Sequence, residues 1–261
     1  MTKTLTGLLA GKTVRRLGFG TMRLTGPGIW GPPSNEQYAI ELLRKAVDSG
    51  VQHIDTADAY GPDVAEPLIR KALYPYADDL IIATKGGFTR QGPGRWTPCG
   101  VPAYLRQCVE MSLRRLNVEA IDLYYLHRVD PAIPLADQLG ELEQMRLEGK
   151  IKALGMSKVN VSQLDEAISI APIAAVQNTF NILKPESPDV VAWCESREIA
   201  FVPYAPLNAG KYLEAPANAT NDNSLTPREA LRWLLDYSPI MFPIPGTSNI
   251  THLVENLEAD S

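Results

Sequence analysis

Cysteine is scarce in this chain. Cys99, Cys108 and Cys194 are an odd number with no CxxC or zinc-ligand spacing, so no disulfide framework and no metal site are expected, and the thiols read as idle or buried in a reducing compartment. Positive charge is also in deficit: 25 Lys and Arg face 30 Asp and Glu, a net charge of −5. That balance leaves no electrostatic footprint for nucleic acid, and none is expected as a partner. No apolar run approaches the ~20 residues that span a bilayer. The opening Met1-Thr2-Lys3-Thr4-Leu5 has no apolar leader either, so the expected place is the cytoplasm, away from membranes. A GxGxxG turn after the first strand is missing, which counts against a doubly wound dinucleotide fold.

What is present is an ordinary globular composition, 261 residues with 45% hydrophobic and 21% charged, enough to bury a sizeable core. Short β-rich runs at 17–22, 53–57, 80–85, 120–127, 151–157, 173–178, 199–206 and 240–246 alternate with amphipathic stretches. The latter include 36–49, 102–116, 135–148 and 227–237. Eight strand-to-helix units spaced by about thirty residues are what a (β/α)₈ TIM barrel requires. No composition shift marks a boundary, so residues 1–261 are read as one α/β barrel domain. Residues 8–14, Leu-Leu-Ala-Gly-Lys-Thr-Val, read as an N-terminal β-hairpin with Gly11 in its turn, suited to plug the barrel floor. Long connections at 25–34, 88–101 and 207–226 would emerge at the mouth, where barrels keep their active sites.

The ends of three successive strands carry chemistry. Asp55 follows apolar residues in the second, Lys85 ends the third after five uncharged residues, and His127 ends the fourth. An unpaired buried carboxylate is costly, so Asp55 calls for a cation, and Lys85 at the same height can supply it. Tyr60 lies five residues beyond Asp55. A tyrosine of ordinary pKa ~10 needs tuning to give up a proton, and a neighbouring ammonium lowers that pKa. Asp55 would keep Lys85 charged, and His127 would orient a carbonyl. Such a site suits a carbonyl that receives a proton at oxygen and a hydride at carbon, the hydride coming from a cofactor. His53, two residues below Asp55 on the same face, is read as structural.

Over essentially its whole length the chain resembles the aldo-keto reductase family, near its bacterial pyridoxal reductase branches. The residues that carry the likeness are Asp55-Thr56-Ala57-x-x-Tyr60-Gly61, Lys85, Asp122-Leu-Tyr-Tyr-Leu-His127 and Gly155-Met156-Ser157. Val176-Gln177-Asn178-x-x-Asn181, Tyr204-Ala205-Pro206-Leu207 and Ile244-Pro245-Gly246-Thr247-Ser248 extend it. The resemblance implies an NAD(P)H-dependent reduction of an aldehyde or ketone, with Asp55, Tyr60, Lys85 and His127 catalytic and Tyr60 the general acid. It implies NADPH as cofactor, with NADH kept as an alternative. Ser157 and Gln177 would hydrogen-bond the carboxamide and Tyr204 would stack on the ring, with Thr21, Met22, Asp55, Lys158, Ala205 and Pro206 also binding the cofactor. Leu207 and the loop through Lys211 would lie across the pyrophosphate. Gly246, Thr247, Ser248, His252, Glu255 and Asn256 would meet the adenosine end, where a helix N-terminus suits an anion.

Two positions depart from the family pattern. Lys158 stands where Asn is common, and His252 where an arginine often meets the 2′-phosphate. The substrate pocket implied is Trp30, Asp58, Phe88, Trp96 and Arg128, with pyridoxal or another small carbonyl as substrate. Family members usually continue past the eighth helix, so the shortened C-terminus suggests an open site, an oligomer supplying the wall, or a chain that continues. Monomer and homo-oligomer both remain open. Two rival functions are an NADPH-binding regulatory or sensor barrel with little turnover, and a Schiff-base lyase using Lys85.

Overall fold

The computed structural model describes residues 4–208 and 225–260. Lys211 and the stretch 215–223 lie outside them. The chain opens with the expected hairpin, β1 Thr6–Leu9 paired antiparallel to β2 Lys12–Arg15. Ala10 and Gly11 both take positive φ, 47° and 81°, the twist that a two-residue hairpin turn needs.

Seven parallel strands follow: β3 Phe19–Gly20, β4 His53–Asp55, β5 Ile81–Gly86, β8 Leu123–Leu126, β9 Leu154–Ser157, β10 Ile173–Gln177 and β11 Ala200–Phe201. The helices between and after them are α1 Glu36–Asp48, α2 Ala65–Leu73, α3 Pro102–Leu116, α4 Leu135–Leu147, α5 Val161–Ala167, α6 Pro188–Glu195, α7 Pro227–Tyr237 and α8 Ile250–Leu257. The sheet is a closed (β/α)₈ barrel.

The eighth stave differs from expectation. Residues 240–246 form no regular strand, yet they close the ring. Phe201 N–H donates to Ile240 O and Phe242 N–H to Phe201 O, both at 2.8 Å. On the other edge Gly18 and Gly20 donate to Pro243 O and Pro245 O at 2.9 and 3.1 Å. Two prolines have no N–H to return, so the ladder runs one way. Proline also shortens the strand expected at 199–206. Val202 and Tyr204 still donate to Val176 O and Asn178 O, but Pro203 between them cannot. The run 17–22 keeps two strand residues before a 3₁₀ turn at Met22–Leu24. The connection 88–101 proves to be a second hairpin, β6 Phe88–Gly92 with β7 Arg95–Pro98.

Strand alternation divides the core in two. Ile82, Tyr124, Leu126, Leu154, Met156 and Val176 face the helices. Ile81, Ala83, Leu123, Tyr125, Ala175 and Val202 face the barrel axis, where Leu9 and Val14 of the hairpin pack against them and plug the floor. The same parity sends Asp55, Lys85, His127, Ser157 and Gln177 inward, one level above this apolar filling. Among the described residues no helix is long and apolar enough to cross a membrane.

Candidate active site

Lys85 sits at the centre, fully buried. Its three ammonium hydrogens match three acceptors: Asp55 Oδ1 at 2.6 Å, Thr56 O at 2.7 Å and the Tyr60 hydroxyl at 3.5 Å. Burial works against its charge, but Asp55 and Tyr60 outweigh that and raise its pKa. The second oxygen of Asp55 accepts Gln177 Nε2 at 2.8 Å, so strands β4, β5 and β10 meet in one network.

Tyr60 is buried, its ring 5.2 Å below the Lys85 ammonium. Its pKa is raised, chiefly by burial, while Lys85 pulls the other way. Lys85 lowers it as expected, but desolvation outweighs that contribution, and the hydroxyl keeps its proton in this geometry. His127 lies beside it, ring centroids 6.1 Å apart. Burial, then Lys85, Arg128 and Arg90, hold its pKa well below the ordinary imidazole value, so it is neutral near pH 7. Its Nδ1 has no hydrogen-bond partner among the described residues.

Phe88 and Trp96 wall this group, with ring centroids 4.7 and 6.3 Å from His127. Trp30, more than a third exposed, reaches the same side. Arg90 ties the wall together. Its guanidinium stacks 3.6 Å from the Trp96 centroid and donates to Ile29 O at 3.0 Å, Gly28 O at 3.2 Å and Ala59 O. Sequence reasoning missed Arg90, because its role depends on the hairpin. The turn Gly92-Pro93-Gly94 between flanking Thr, Arg and Trp was the available signal.

Arg128 donates from one nitrogen to His127 O at 2.6 Å and to Ser157 Oγ at 2.9 Å. Asp58 departs from the expected pocket wall. Its carboxyl lies against Cys108, in a cavity of about 270 Å³ lined also by Tyr104, Arg115 and Phe88. There burial and Glu66 push it up to about 7.

The expected cofactor residues fall into two groups. Ser157, Gln177 and Tyr204 gather around Asp55 and Arg128, with Thr21 bonded through its hydroxyl and N–H to Asp55 O and Met22 exposed beside it. The polar atoms suit a carboxamide. Ser157 Oγ accepts from Arg128, which leaves its own hydrogen to donate. Gln177 commits its NH₂ to Asp55, which leaves its carbonyl oxygen as an acceptor. Lys158 takes a left-handed conformation, φ 55°, with its side chain exposed, and joins this set through its backbone N–H, which donates to Gln177 O at 2.8 Å. Ala205, Pro206 and Leu207 continue from Tyr204, and Asn181 Nδ2 pins Ala205 O at 3.1 Å.

The second group runs from Gly246, Thr247 and Ser248, ahead of α8, to His252, Glu255 and Asn256 within it. All are exposed or half-buried except Asn256. The helix N-terminus is less open than expected: Ile250 N–H donates to Tyr38 OH and Thr251 N–H to Asn249 Oδ1.

Comparison with known proteins agrees with this geometry. The model of the aldo/keto reductase family matches residues 16–229. An uncharacterized oxidoreductase of Schizosaccharomyces pombe is 46% identical over 250 residues, 94% of this chain and 81% of that protein. Pyridoxine 4-dehydrogenase of Escherichia coli is 41% identical over 261 residues, 97% of this chain and 91% of that one. The solved glycerol dehydrogenase of Gluconobacter oxydans superposes with a TM-score of 0.84 at 26% identity, over 97% of this chain and 90% of that one.

Proposed function

The chain belongs to the aldo/keto reductase family of oxidoreductases, and from that premise we propose that it reduces an aldehyde or ketone to an alcohol with NADPH. The observation that carries this reading is the Lys85 ammonium, held by Asp55 and Thr56 and donating its third hydrogen to Tyr60.

NADPH, when bound, supplies the hydride that the carbonyl carbon receives. Ser157 and Gln177 would hold its carboxamide, one as donor and one as acceptor, and Tyr204 would stack on the ring. Tyr60 gives its hydroxyl proton to the carbonyl oxygen as negative charge gathers there. Lys85 stabilises the phenolate left behind, and Asp55 keeps Lys85 charged and still. Neutral His127 donates a hydrogen bond that points the carbonyl oxygen at Tyr60. Phe88 and Trp96 exclude water from the reacting atoms and offer aromatic surface to a planar substrate. The likeness to the pyridoxine 4-dehydrogenase of E. coli supports pyridoxal as a candidate substrate.

The lyase alternative fits less well. A Schiff-base lysine needs a neutral amine, whereas Lys85 has a raised pKa and three acceptors around it. The sensor alternative differs from the reductase only in turnover. Titrating the protein with NADPH and with NADH by fluorescence, then adding pyridoxal and small aldehydes, separates them. Binding followed by carbonyl-dependent oxidation supports the reductase; binding without oxidation supports the sensor; absence of binding contradicts both.

A further inference from the structure

The substrate side of the site carries positive charge that no carboxylate among the described residues balances. A guanidinium has five N–H donors. Arg128 uses two, both on one terminal nitrogen, for His127 O and Ser157 Oγ. The three on Nε and the other terminal nitrogen have no hydrogen-bond acceptor among the described residues. No described carboxylate lies within 4.0 Å of Arg128 or of Arg90, whereas the third cation, Lys85, has Asp55. Every charged neighbour acting on His127, namely Lys85, Arg128 and Arg90, is positive. This excess sits in a chain whose net charge is −5.

Arg128 is half-buried, with Phe88 and Tyr204 ring centroids 5.6 and 5.7 Å from its guanidinium carbon. Burying a charge without a counter-ion costs free energy that stabilises nothing in the fold. The free edge formed by Nε and a terminal nitrogen is also the fork that grips two oxygens of a carboxylate or phosphate. The cofactor does not discharge it, because the carboxamide that Ser157 and Gln177 suit is neutral. A substrate oxyanion would supply the acceptor that the described residues lack.

We propose that Arg128 determines substrate specificity, and that the carbonyl compounds turned over best carry an oxyanion, a carboxylate or a phosphate, that pairs with its free edge. This rests on the reductase reading. It adds a substrate class that the family does not fix.

The test compares kcat/KM within two pairs, 4-carboxybenzaldehyde over benzaldehyde and pyridoxal 5′-phosphate over pyridoxal, in the natural protein, Arg128→Gln and Arg128→Lys. Each ratio is internal to one enzyme, so any general loss of activity cancels. The natural protein is expected to favour the charged member of at least one pair by about tenfold or more, the scale of a charge-assisted pair. Arg128→Gln should bring that ratio close to one, and Arg128→Lys should restore part of it. Preference in the first pair alone assigns a carboxylate, in the second alone a phosphate. Ratios near or below one in both pairs, or a preference that survives Arg128→Gln, overturn the proposal.

A binding measurement keeps the proposal separate from the reductase reading. Calorimetric titration with 4-(hydroxymethyl)benzoate against benzyl alcohol needs no turnover. Tighter binding of the anion, lost in Arg128→Gln, supports the subsite even where no aldehyde is reduced, a result that would sink only the reductase. Equal binding of the two alcohols counts against the subsite whatever the turnover.

Discussion

Gln177 and Asp55 stand 122 residues apart in sequence and share a hydrogen bond of 2.8 Å across the mouth of the barrel. With Lys85 on the other oxygen, both faces of the carboxylate are occupied before any substrate arrives. The bond also decides how Gln177 presents itself, since an amide that donates its NH₂ to Asp55 offers its carbonyl to the cleft. One contact thereby joins the residue proposed to hold the carboxamide to the group proposed to transfer the proton.

Gln177→Met removes that donor while keeping the volume. Hydrogen bonds to charged groups are worth roughly 1.5–3 kcal/mol, so NADPH affinity and kcat should both fall by about tenfold or more. Fluorescence titration and steady-state rates read the two effects. A variant that loses kcat while keeping its affinity would show that Gln177 serves Asp55 alone.

The Lys85–Asp55 pair gives a stability prediction. Lys85→Met leaves a buried carboxylate without its cation, which should cost about 3–5 kcal/mol. Replacing both partners by apolar groups removes the orphan, so Asp55→Leu with Lys85→Met should be more stable than Lys85→Met alone. Urea midpoints measure this. A double variant less stable than the single would mean that the pair stabilises the fold outright. Both variants should be inactive.

The pH dependence of stability follows from two histidines and one aspartate. His53, buried with both ring nitrogens unpartnered among the described residues, is lowered by burial to about 4. Below its ordinary value of about 6.5 the unfolded chain takes up a proton that the folded one refuses. Its stabilising effect is therefore present above pH 6.5 and lost as pH falls toward 4. His127, lowered by burial and its cationic neighbours, acts in the same direction. Asp58, pushed up to about 7, opposes them, because the folded state binds its proton first as pH falls. Each group changes the slope by about 1.4 kcal/mol per pH unit. Between pH 4.5 and 6, His53→Leu should lower the slope of stability against pH by one such step, and Asp58→Asn should raise it by one. Unchanged slopes would contradict the burial argument.

Much of this site is legible in the sequence because strand alternation carries it. The inward parity of Ile81, Ala83 and Lys85, and of Leu123, Tyr125 and His127, can be counted along the chain by twos. The eighth stave is legible as an apolar run, but the one-way hydrogen bonding that Pro243 and Pro245 impose was not part of the expectation. What periodicity does not reach is set by burial and by distant partners. The rise in the Tyr60 pKa depends on how deeply the ring is desolvated, which no spacing records. The family resemblance implies Asp58 in the substrate wall, whereas its carboxyl meets Cys108 on α3.

Another long-range contact secures the floor. Arg15 on the plugging hairpin donates to Asp260 Oδ2 and Leu257 O, both at 2.7 Å, and to Ser49 O at 2.8 Å. Arg15→Met strands the buried Asp260 carboxylate and should cost about 3–5 kcal/mol. Below the unfolding transition, turnover per folded molecule should match the natural protein, because the contact is made on the hairpin at the barrel's closed end. A loss of turnover without a loss of stability would contradict that division.

Tyr60 is proposed to donate the proton, and its removal should separate chemistry from cofactor binding. NADPH oxidation with pyridoxal or another accepted carbonyl is measured for the natural protein and for Tyr60→Phe, alongside NADPH binding by fluorescence. The general-acid role of Tyr60 predicts that Tyr60→Phe loses about 10²–10⁴-fold in kcat while its NADPH affinity changes by less than about threefold, under ~0.7 kcal/mol. A Tyr60→Phe enzyme that turns over as fast as the natural protein would contradict it.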